Sequence, residues 1–391
     1  MKDMIRYLAC CLTILSLQTH AELAIDTNFP GGSAKVEMLD QATRTISITP
    51  SPRKDLGWEC WWNFKLTGIE AGKPVTLVVT GMSFAIADRA TISLDGKTWQ
   101  HSAPGRVEKG KVTYSLTFEQ DHAWIAWGPP FQLTHAEALI AKAVQHGGKA
   151  FEFCKSNGGR SVPAVRFDPA TPGKYRGLWV HARQHAWESG SSWVCSGFVN
   201  WLFSDESKAL RENTRIIIVP IMDVDNVEIG AGGKDQVPHD HNRDWMDKPL
   251  YAAVRTAQAM ITEMNAANEF DLFIDLHNPA PRDLKPFFFV SPASMMNATQ
   301  NASLQRWVET AQGFLGKHPL GLEAKTRESG SSYHPLWKQI SKNWVTDHCQ
   351  DHVVAVTLET AWNTPNSTQS GYQTYGSELG KAISAYLSDK R

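Results

Sequence analysis

The stretch GLWVHARQHAWESGSSWVCSGFVNWL, residues 177–202, contains a predicted strand, a loop with two metal-binding side chains, and a predicted helix. Its first residues, Gly177 to His181, are mostly apolar and indicate a strand. Apolar residues or glycine then recur with helical spacing at positions 193, 194, 197, 198, 201 and 202. His185 and Glu188 fall between these two elements. The stretch therefore predicts a strand–loop–helix unit of an α/β domain that carries candidate metal ligands in its loop.

A third candidate ligand, His277, follows the apolar run FIDL further along the chain. Catalytic zinc takes three nitrogen or oxygen ligands of this kind and keeps one position open, whereas structural zinc has four ligands, commonly cysteines. An HxxE string, or a histidine after a strand, more often has a structural role when it occurs alone. Taken together, His185, Glu188 and His277 predict one catalytic zinc ion per chain, held by a folded domain because the ligands are far apart in sequence.

Other polar groups with chemical potential also follow predicted strands. Glu359 comes directly after a continuous apolar run, and Asn242 and Arg243 lie in a long loop after another such run. Ligands of open α/β sheets bind outside the carboxyl ends of the strands, so these groups are predicted to share one edge with the metal ligands. The predicted strands cover Arg215 to Met222, Leu272 to Leu276 and Val353 to Leu358, and the predicted helices cover Tyr251 to Ala267 and Ser377 to Leu387.

The chain divides into two parts that differ in their pattern of apolar and turn-forming residues. Residues 22–130 consist of short alternating or aromatic runs between Gly, Pro and Asp turns, which is typical of an antiparallel β-sandwich. Residues 131–391 alternate helical stretches with continuous apolar strands, which predicts a mainly parallel mixed sheet flanked by helices. A length of 391 residues suits a large domain preceded by a smaller one.

Residues 1–21 resemble an export signal, with a short charged start, an apolar run, and small residues before a cleavage site after Ala21. The apolar run is too short to span a bilayer, so we expect an exported protein, periplasmic or secreted, without stable membrane insertion. A net charge of −1 removes the electrostatic argument for a nucleic-acid partner. Four cysteines without CxxC spacing remain and are expected to be buried thiols or to form one or two disulfides: Cys60, Cys154, Cys195 and Cys349.

The candidate groups suit hydrolysis of an amide. Zinc lowers the pKa of its bound water towards 7 and polarises a carbonyl oxygen. Glu359 is the candidate general base that takes the proton and later delivers it to the leaving amine; its structural alternative is a solvated or capping carboxylate. Asn242 and Arg243 offer an amide and a planar fork that suit a substrate carboxylate, unless Arg243 pairs with Asp240 or Asp244 instead.

In this order, HxxE, an Asn-Arg pair, a strand ending in DLH and a strand ending in TLE resemble the signature of the M14 zinc carboxypeptidases. The resemblance is closest to the cytosolic-type subfamily, which carries a β-sandwich before the catalytic domain, and it extends over nearly all of the chain after residue 21. It implies that His185, Glu188 and His277 bind zinc, that Asn242 and Arg243 bind the substrate carboxylate, and that Glu359 is the general base.

The chain departs from this subfamily at two places. Where the subfamily usually has HPGE, this chain has HAWE at residues 185–188, so the turn between the first two ligands is expected to differ in shape. The family also uses an arginine in the glycine-rich loop to stabilise the oxyanion, and here Lys234 is the nearest cation. Lysine is a point charge without the planar fork of arginine. By position, Tyr333 corresponds to a tyrosine that closes over the substrate.

The sequence thus predicts an exported zinc metallocarboxypeptidase acting on a peptide or peptide-like chain with a free C-terminal carboxylate. Two alternatives remain: a zinc amidohydrolase that deacylates N-acyl amino acids, and a protein that binds peptide ends without cutting them. The side-chain preference is left open. Within residues 330–348, Lys338, Lys342 and Trp344 are candidates to line a pocket, and the lysines would suit an acidic C-terminal residue.

Overall fold

The computed structural model describes residues 22–82, 85–170 and 175–388, so the predicted export signal lies outside the described residues. In this described part, no helix is both long enough and apolar enough to span a membrane. The first ten strands are β1 (Ala24–Asp26), β2 (Lys35–Asp40), β3 (Thr45–Thr49), β4 (Asn63–Thr67), β5 (Val75–Val79), β6 (Thr91–Ser93), β7 (Gln100–His101), β8 (Arg106–Glu108), β9 (Lys111–Leu116) and β10 (His122–Ala126).

These ten strands form two five-stranded sheets, in the orders β1-β4-β10-β6-β7 and β2-β3-β5-β9-β8. In β5 (VTLVV) every second side chain is buried, as expected for a strand with one face on the core. The predicted antiparallel β domain is confirmed, although β3 and β5 pair in parallel. The sequence could not reveal this exception, because alternation indicates which face is buried and not the direction of the neighbouring strand.

The larger part contains the remaining strands, β11 (Lys149–Lys155), β12 (Ser161–Phe167), β13 (Arg176–Ala182), β14 (Thr214–Val219), β15 (Leu272–His277), β16 (Phe287–Val290), β17 (Arg327–Glu328) and β18 (Val354–Glu359). They form one sheet in the order β11-β12-β14-β13-β15-β18-β16-β17. Its centre, from β14 to β18, is parallel. The flanking strands β12 and β16 run antiparallel to β14 and β18, and the edge strand β11 is antiparallel to β12. The predicted mixed sheet is confirmed.

Eight helices accompany the sheet in the described residues: α1 (Leu133–Gln145), α2 (Ser189–Trp201), α3 (Lys208–Asn213), α4 (Val224–Ile229), α5 (Ala252–Ala266), α6 (Ala298–Leu315), α7 (Ser341–His348) and α8 (Gln369–Ser388). The last helix begins at Gln369, eight residues before the predicted start at Ser377. Gly376 lies inside the helix. A Cβ at this position would be 2.0 Å from the backbone oxygen of Val194, so glycine allows α8 to approach α2 closely.

Each part has its own hydrophobic core, and two tryptophans cross between them. Trp187 and Trp362 belong to the larger part of the chain but pack into the core of residues 23–127. All four cysteines are free thiols, and of these Cys60 and Cys195 are fully buried. The expectation of buried thiols therefore holds for two of the four, while Cys154 and Cys349 are partly exposed, and no disulfide joins these four cysteines.

Candidate active site

The parallel sheet brings four of the predicted site residues to one edge. His277 is the last residue of β15 and pairs in register with Glu359, the last residue of β18. His185 and Glu188 follow β13, the other neighbour of β15, in the loop that leads into α2. All four side chains are buried, with no residue more than 8% exposed. The structure therefore assembles these groups from three adjacent strand ends, as a site at the carboxyl edge of a sheet requires.

Among the described residues, His185, Glu188 and His277 form a cluster whose ligand atoms all lie within 4.8 Å of one another. His185 Nδ1 is 2.8 Å from Glu188 Oε1, and His277 Nδ1 is 2.7 Å from Glu188 Oε2. Tetrahedral zinc with ligand bonds of about 2.0 to 2.2 Å needs ligand atoms roughly 3.5 Å apart. The two contacts of Glu188 are shorter than this, so the two imidazole nitrogens and the carboxylate could hold one zinc ion after a small outward movement, and three protein ligands would leave a fourth position for solvent.

Each histidine of this cluster faces a second carboxylate at its Nε2 atom. Asp275 Oδ1 is 2.9 Å from His277 Nε2, and Asp240 Oδ1 is 3.4 Å from His185 Nε2. Carboxylates in this position hold the ring orientation and the tautomer of a metal-binding histidine, and they raise its basicity. Asp275 in turn accepts hydrogen bonds at Oδ2 from Gln184 Nε2 and Ser341 Oγ. The sequence did not reveal either role, although Asp275 is the aspartate of the DLH motif and Asp240 lies two residues before Asn242.

The charges of the cluster stabilise one another. Burial alone would raise the pKa of Glu188, but the flanking imidazoles of His185 and His277 lower it to about 2. Desolvation opposes protonation of both histidines, yet Asp275 and Glu188 raise the pKa of His277 well above the usual range. Glu188 and Asp240 also raise the pKa of His185. Without metal the site therefore retains protons between its ligands, and a divalent cation would displace them.

Glu359 differs from the other carboxylates of the site. Burial raises its pKa to about 7; His277 opposes this shift and Glu188 reinforces it. Its Oε2 atom is buried and has no hydrogen-bond partner among the described residues. Neither structural alternative fits, because the side chain is not solvated and the next helix, α8, begins ten residues later. A buried carboxyl group with a pKa near neutrality suits proton transfer.

Asn242 and Arg243 occupy a single 3₁₀ turn, His241–Arg243, beside the cluster. Asn242 Nδ2 lies 3.3 Å from His277 Nε2, and its Oδ1 accepts a hydrogen bond from the backbone of Ser341. The Arg243 guanidinium donates from Nη1 to the backbone oxygen of Asn242, while its buried Nε has no partner in the described part of the chain. The guanidinium thus keeps donor capacity for a ligand. Tyr333, 44% exposed, places its ring 5.7 Å from the Arg243 Cζ atom.

Lys234 contacts aspartates next to the cluster and not the three candidate ligands themselves. Its Nζ atom is 3.2 Å from Asp235 Oδ1 and 3.5 Å from Asp240 Oδ2. Because Asp240 is also the carboxylate that faces His185, Lys234 contacts the metal cluster through that aspartate. An oxyanion role for Lys234 stays a prediction, and in this arrangement two carboxylates already engage its charge.

Of the three pocket candidates, Lys342 has the most unusual environment. It lies in the first turn of α7, is fully buried, and donates hydrogen bonds to the neutral oxygens Ser329 Oγ and Asn343 Oδ1. Burial lowers its pKa well below the usual range; Asp275 opposes the shift, and the nearby Arg243 reinforces it. By contrast, Lys338 is exposed. Trp344 packs against Trp245 in the core.

A mixed sheet with this cluster at its carboxyl edge, preceded by an antiparallel β domain, defines the metallocarboxypeptidase class of fold. Residues 140–363 match the zinc carboxypeptidase family, and residues 25–127 match the cytosolic carboxypeptidase N-terminal domain. The first match covers more than half of the chain. The protein therefore belongs to the M14 zinc carboxypeptidase family, and the resemblance seen in the sequence is confirmed.

Individual relatives are distant. An uncharacterized protein of Zymomonas mobilis is 26% identical over 235 residues, which cover 58% of this chain and 60% of that protein. Cytosolic carboxypeptidase 2 of Danio rerio is 22% identical over 241 residues, which cover 55% of this chain but only 33% of the relative. The matched part of the chain thus spans less than two thirds of the length of these relatives.

Solved structures share the fold over almost the whole chain. A metallo-carboxypeptidase from Burkholderia cenocepacia has a TM-score of 0.79 at 19% identity and covers 94% of this chain and 99% of its own. A metallo-carboxypeptidase from Pseudomonas aeruginosa, solved in complex with (2-guanidinoethylmercapto)succinic acid, has a TM-score of 0.76 at 18% identity, covering 93% and 99%. At these identities the likeness establishes the common two-part fold.

Proposed function

We propose that this protein is an exported zinc metallocarboxypeptidase that hydrolyses the C-terminal amide bond of a peptide or peptide-like chain. The observation that carries the proposal is the convergence of His185, Glu188 and His277 beside Glu359, a buried carboxyl group whose Oε2 atom has no hydrogen-bond partner among the described residues. Membership of the M14 family supports it independently. The proposal of export rests on the character of residues 1–21 alone.

Bound zinc would supply a Lewis acid that lowers the pKa of water and polarises the scissile carbonyl. Glu359 accepts a proton from the attacking water while the oxygen bonds to the carbonyl carbon. It then donates that proton to the leaving nitrogen as the carbon–nitrogen bond breaks. A pKa of about 7 suits both steps, because a group that takes up a proton near neutral pH must also release it. Asp240 and Asp275 hold the two histidines in place.

Arg243 and Asn242 define which bond is cut. A planar guanidinium with a free donor can bind a carboxylate through two parallel hydrogen bonds, and the neighbouring amide can add a third. A substrate held by its terminal carboxylate at Arg243 would present its last amide bond to Glu359 and the metal ligands. This arrangement explains why the protein would remove single residues from a chain end.

We expect Arg243→Lys to raise KM for a peptide with a free C-terminal carboxylate about tenfold to a hundredfold, with a smaller change in kcat. Lysine keeps the charge but loses the two-donor fork. Steady-state kinetics on one peptide as free acid and as C-terminal amide would measure this, and the amide should be a poor substrate for both proteins. Arg306→Lys serves as the control, because Arg306 lies on α6 with its guanidinium over the ring of Tyr386. An unchanged KM in the Arg243 variant would contradict the assignment.

We infer that the residue removed is acidic. Lys342 is a fully buried amine that donates its hydrogen bonds to neutral oxygens in the described part of the chain. Its pKa, which burial lowers, is also affected by the carboxylates of Asp275 and Glu359 and by Arg243. Burying an amine in this way is costly, and the cost falls when an anion arrives to pair with it. The side-chain carboxylate of a C-terminal aspartate or glutamate would supply that anion, while the terminal carboxylate binds Arg243.

Lys342→Met should reduce the preference for a C-terminal glutamate over a leucine about tenfold to a hundredfold. Methionine is similar to lysine in length but has no charged hydrogen-bond donor. The thermal midpoint should not fall, since a buried amine is replaced by an apolar chain. Ratios of kcat/KM for peptides that differ only in the last residue measure the effect. Lys338→Met is the matched control, because Lys338 lies four residues before Lys342 and is exposed. Preference ratios that are equal in all three proteins would rule out this substrate class.

One assay separates the proposal from its alternatives. Zinc-loaded protein is incubated with peptides and with N-acyl amino acids, and the products are identified by mass spectrometry. Loss of single C-terminal residues supports the carboxypeptidase. Intact peptides with deacylated amino acids would indicate an amidohydrolase, and unchanged masses for every compound would indicate a binding protein.

A further inference from the structure

Trp187 lies between the candidate ligands His185 and Glu188, but its side chain belongs to the core of the N-terminal domain. The indole is 2% exposed. It stacks on Trp58 at 5.9 Å between ring centroids, meets Trp127 edge-on at 5.2 Å, and contacts Trp362 at 6.1 Å. The loop that carries two metal ligands is therefore anchored by an aromatic cluster contributed largely by the other domain.

The N-terminal domain also pairs with the glycine-rich loop that runs beside this ligand loop. Residues 55–58 and 233–237 form three backbone hydrogen bonds of 2.9 Å: Gly233 to Leu56, Trp58 to Lys234, and Val237 to Asp55. The approach needs a glycine at position 232, where a Cβ would be 2.0 Å from the Trp58 oxygen. The backbone oxygen of Gly232 in turn accepts a hydrogen bond from the backbone N–H of Trp187.

Side chains continue this connection to the first ligand. Trp58 Nε1 donates to Asp235 Oδ2, and Lys234 Nζ lies near both Asp235 and Asp240. Lys234 lies near Asp240 Oδ2, and Asp240 Oδ1 is 3.4 Å from His185 Nε2. The N-terminal domain thus reaches the two ligands of the HAWE segment by two routes, through the Trp187 ring and through Asp240.

We propose that the N-terminal domain supports the metal site, and that Trp187 is the positioning residue through which it fixes His185 and Glu188. This inference rests on the proposed zinc site. Where the resembled subfamily has Pro-Gly between the two ligands, this chain has Ala186 and Trp187. Proline restricts the backbone from within, whereas a buried indole restrains the loop from outside. In either case the ligands are ordered before the ion binds, which lowers the entropic cost of binding.

Zinc affinity of the metal-free protein tests this role without any substrate. We expect Trp187→Ala to weaken zinc binding about tenfold to a hundredfold, as loss of an outer support of a metal ligand typically does. Trp187→Phe, which keeps an aromatic ring, should recover most of the affinity. The dissociation constant is measured by competition with a chelator, at a temperature where near-ultraviolet circular dichroism shows each variant to be folded.

Trp307→Ala is the matched control, because Trp307 is fully buried but packs against Phe288 and Tyr386, away from the ligand loop. It should lose comparable stability and keep its zinc affinity within about twofold. Trp58→Ala changes a half-buried ring and is the variant that decides the matter if Trp187→Ala does not fold. Its affinity should fall about threefold to tenfold.

Unchanged affinity in Trp58→Ala and in any folded Trp187→Ala protein would overturn the positioning role. An equal loss of affinity in Trp307→Ala would also overturn it, since the effect would then be one of general stability. A wild-type protein that binds no zinc would instead refute the proposed function, so the two failures are distinguishable.

Discussion

Glu359→Gln is expected to lower kcat for peptide hydrolysis about a thousandfold, because general acid–base catalysis by a positioned side chain contributes on the order of 10²- to 10⁴-fold. Glutamine has nearly the same shape but cannot accept and return a proton. Glu359 is paired in register with His277 without belonging to the three-ligand cluster, so zinc content should remain at one ion per chain.

The comparison is made by steady-state kinetics together with metal analysis of the same preparations. Glu378→Gln, a carboxylate of α8 that pairs with Lys381, is the control and should retain wild-type kcat. A Glu359→Gln protein with kcat within about tenfold of wild type would remove Glu359 from the mechanism. The assignment of the metal ligands would survive that result.

Glu188→Gln is expected to abolish stoichiometric zinc binding, with kcat/KM falling by at least about 10⁴-fold. Glu188 contacts both His185 Nδ1 and His277 Nδ1, and these imidazoles lower its pKa, so the carboxylate is charged near neutral pH. A neutral amide is a much weaker ligand for zinc, which binds nitrogen, thiolate and carboxylate donors.

Two measurements check this expectation. Chelator-treated wild type should regain activity when zinc is added, and the variant should not. Zinc at a hundred times its dissociation constant should stabilise the wild type by about 2.7 kcal/mol and leave the melting of the variant unchanged. A Glu188→Gln protein that still holds one zinc ion after dialysis would contradict the proposed ligand set.

The sequence predicted the sheet and the convergence of the site groups because both depend on simple regularities. Continuous apolar runs identify strands that are buried on both faces, and a polar residue at the end of such a run must lie at the carboxyl edge. His277 and Glu359 are the clearest case, since each ends its strand and they are register neighbours. The spacing from His185 to Glu188 similarly limited both to one loop.

What the sequence missed depends on contacts between distant segments. The support of His185 by Asp240 needs the long loop to fold back onto the ligand loop, and no local pattern reports that return. The predicted start of the last helix at Ser377 was wrong, because the helix continues through Gly376, where the close approach to α2 requires a glycine. Trp187 was recognised only as a departure from HPGE, since its partners Trp58 and Trp127 lie in the other domain.

The central claim is that two imidazoles and one carboxylate hold a single zinc ion with a position open to solvent. X-ray absorption at the zinc edge, on protein loaded with one equivalent of zinc, tests it most directly. The account predicts one ion coordinated by two histidine nitrogens, the Glu188 carboxylate and a solvent oxygen, at about 2.0 to 2.2 Å. A zinc ion enclosed by four protein ligands, or one with sulfur in its shell, would contradict it.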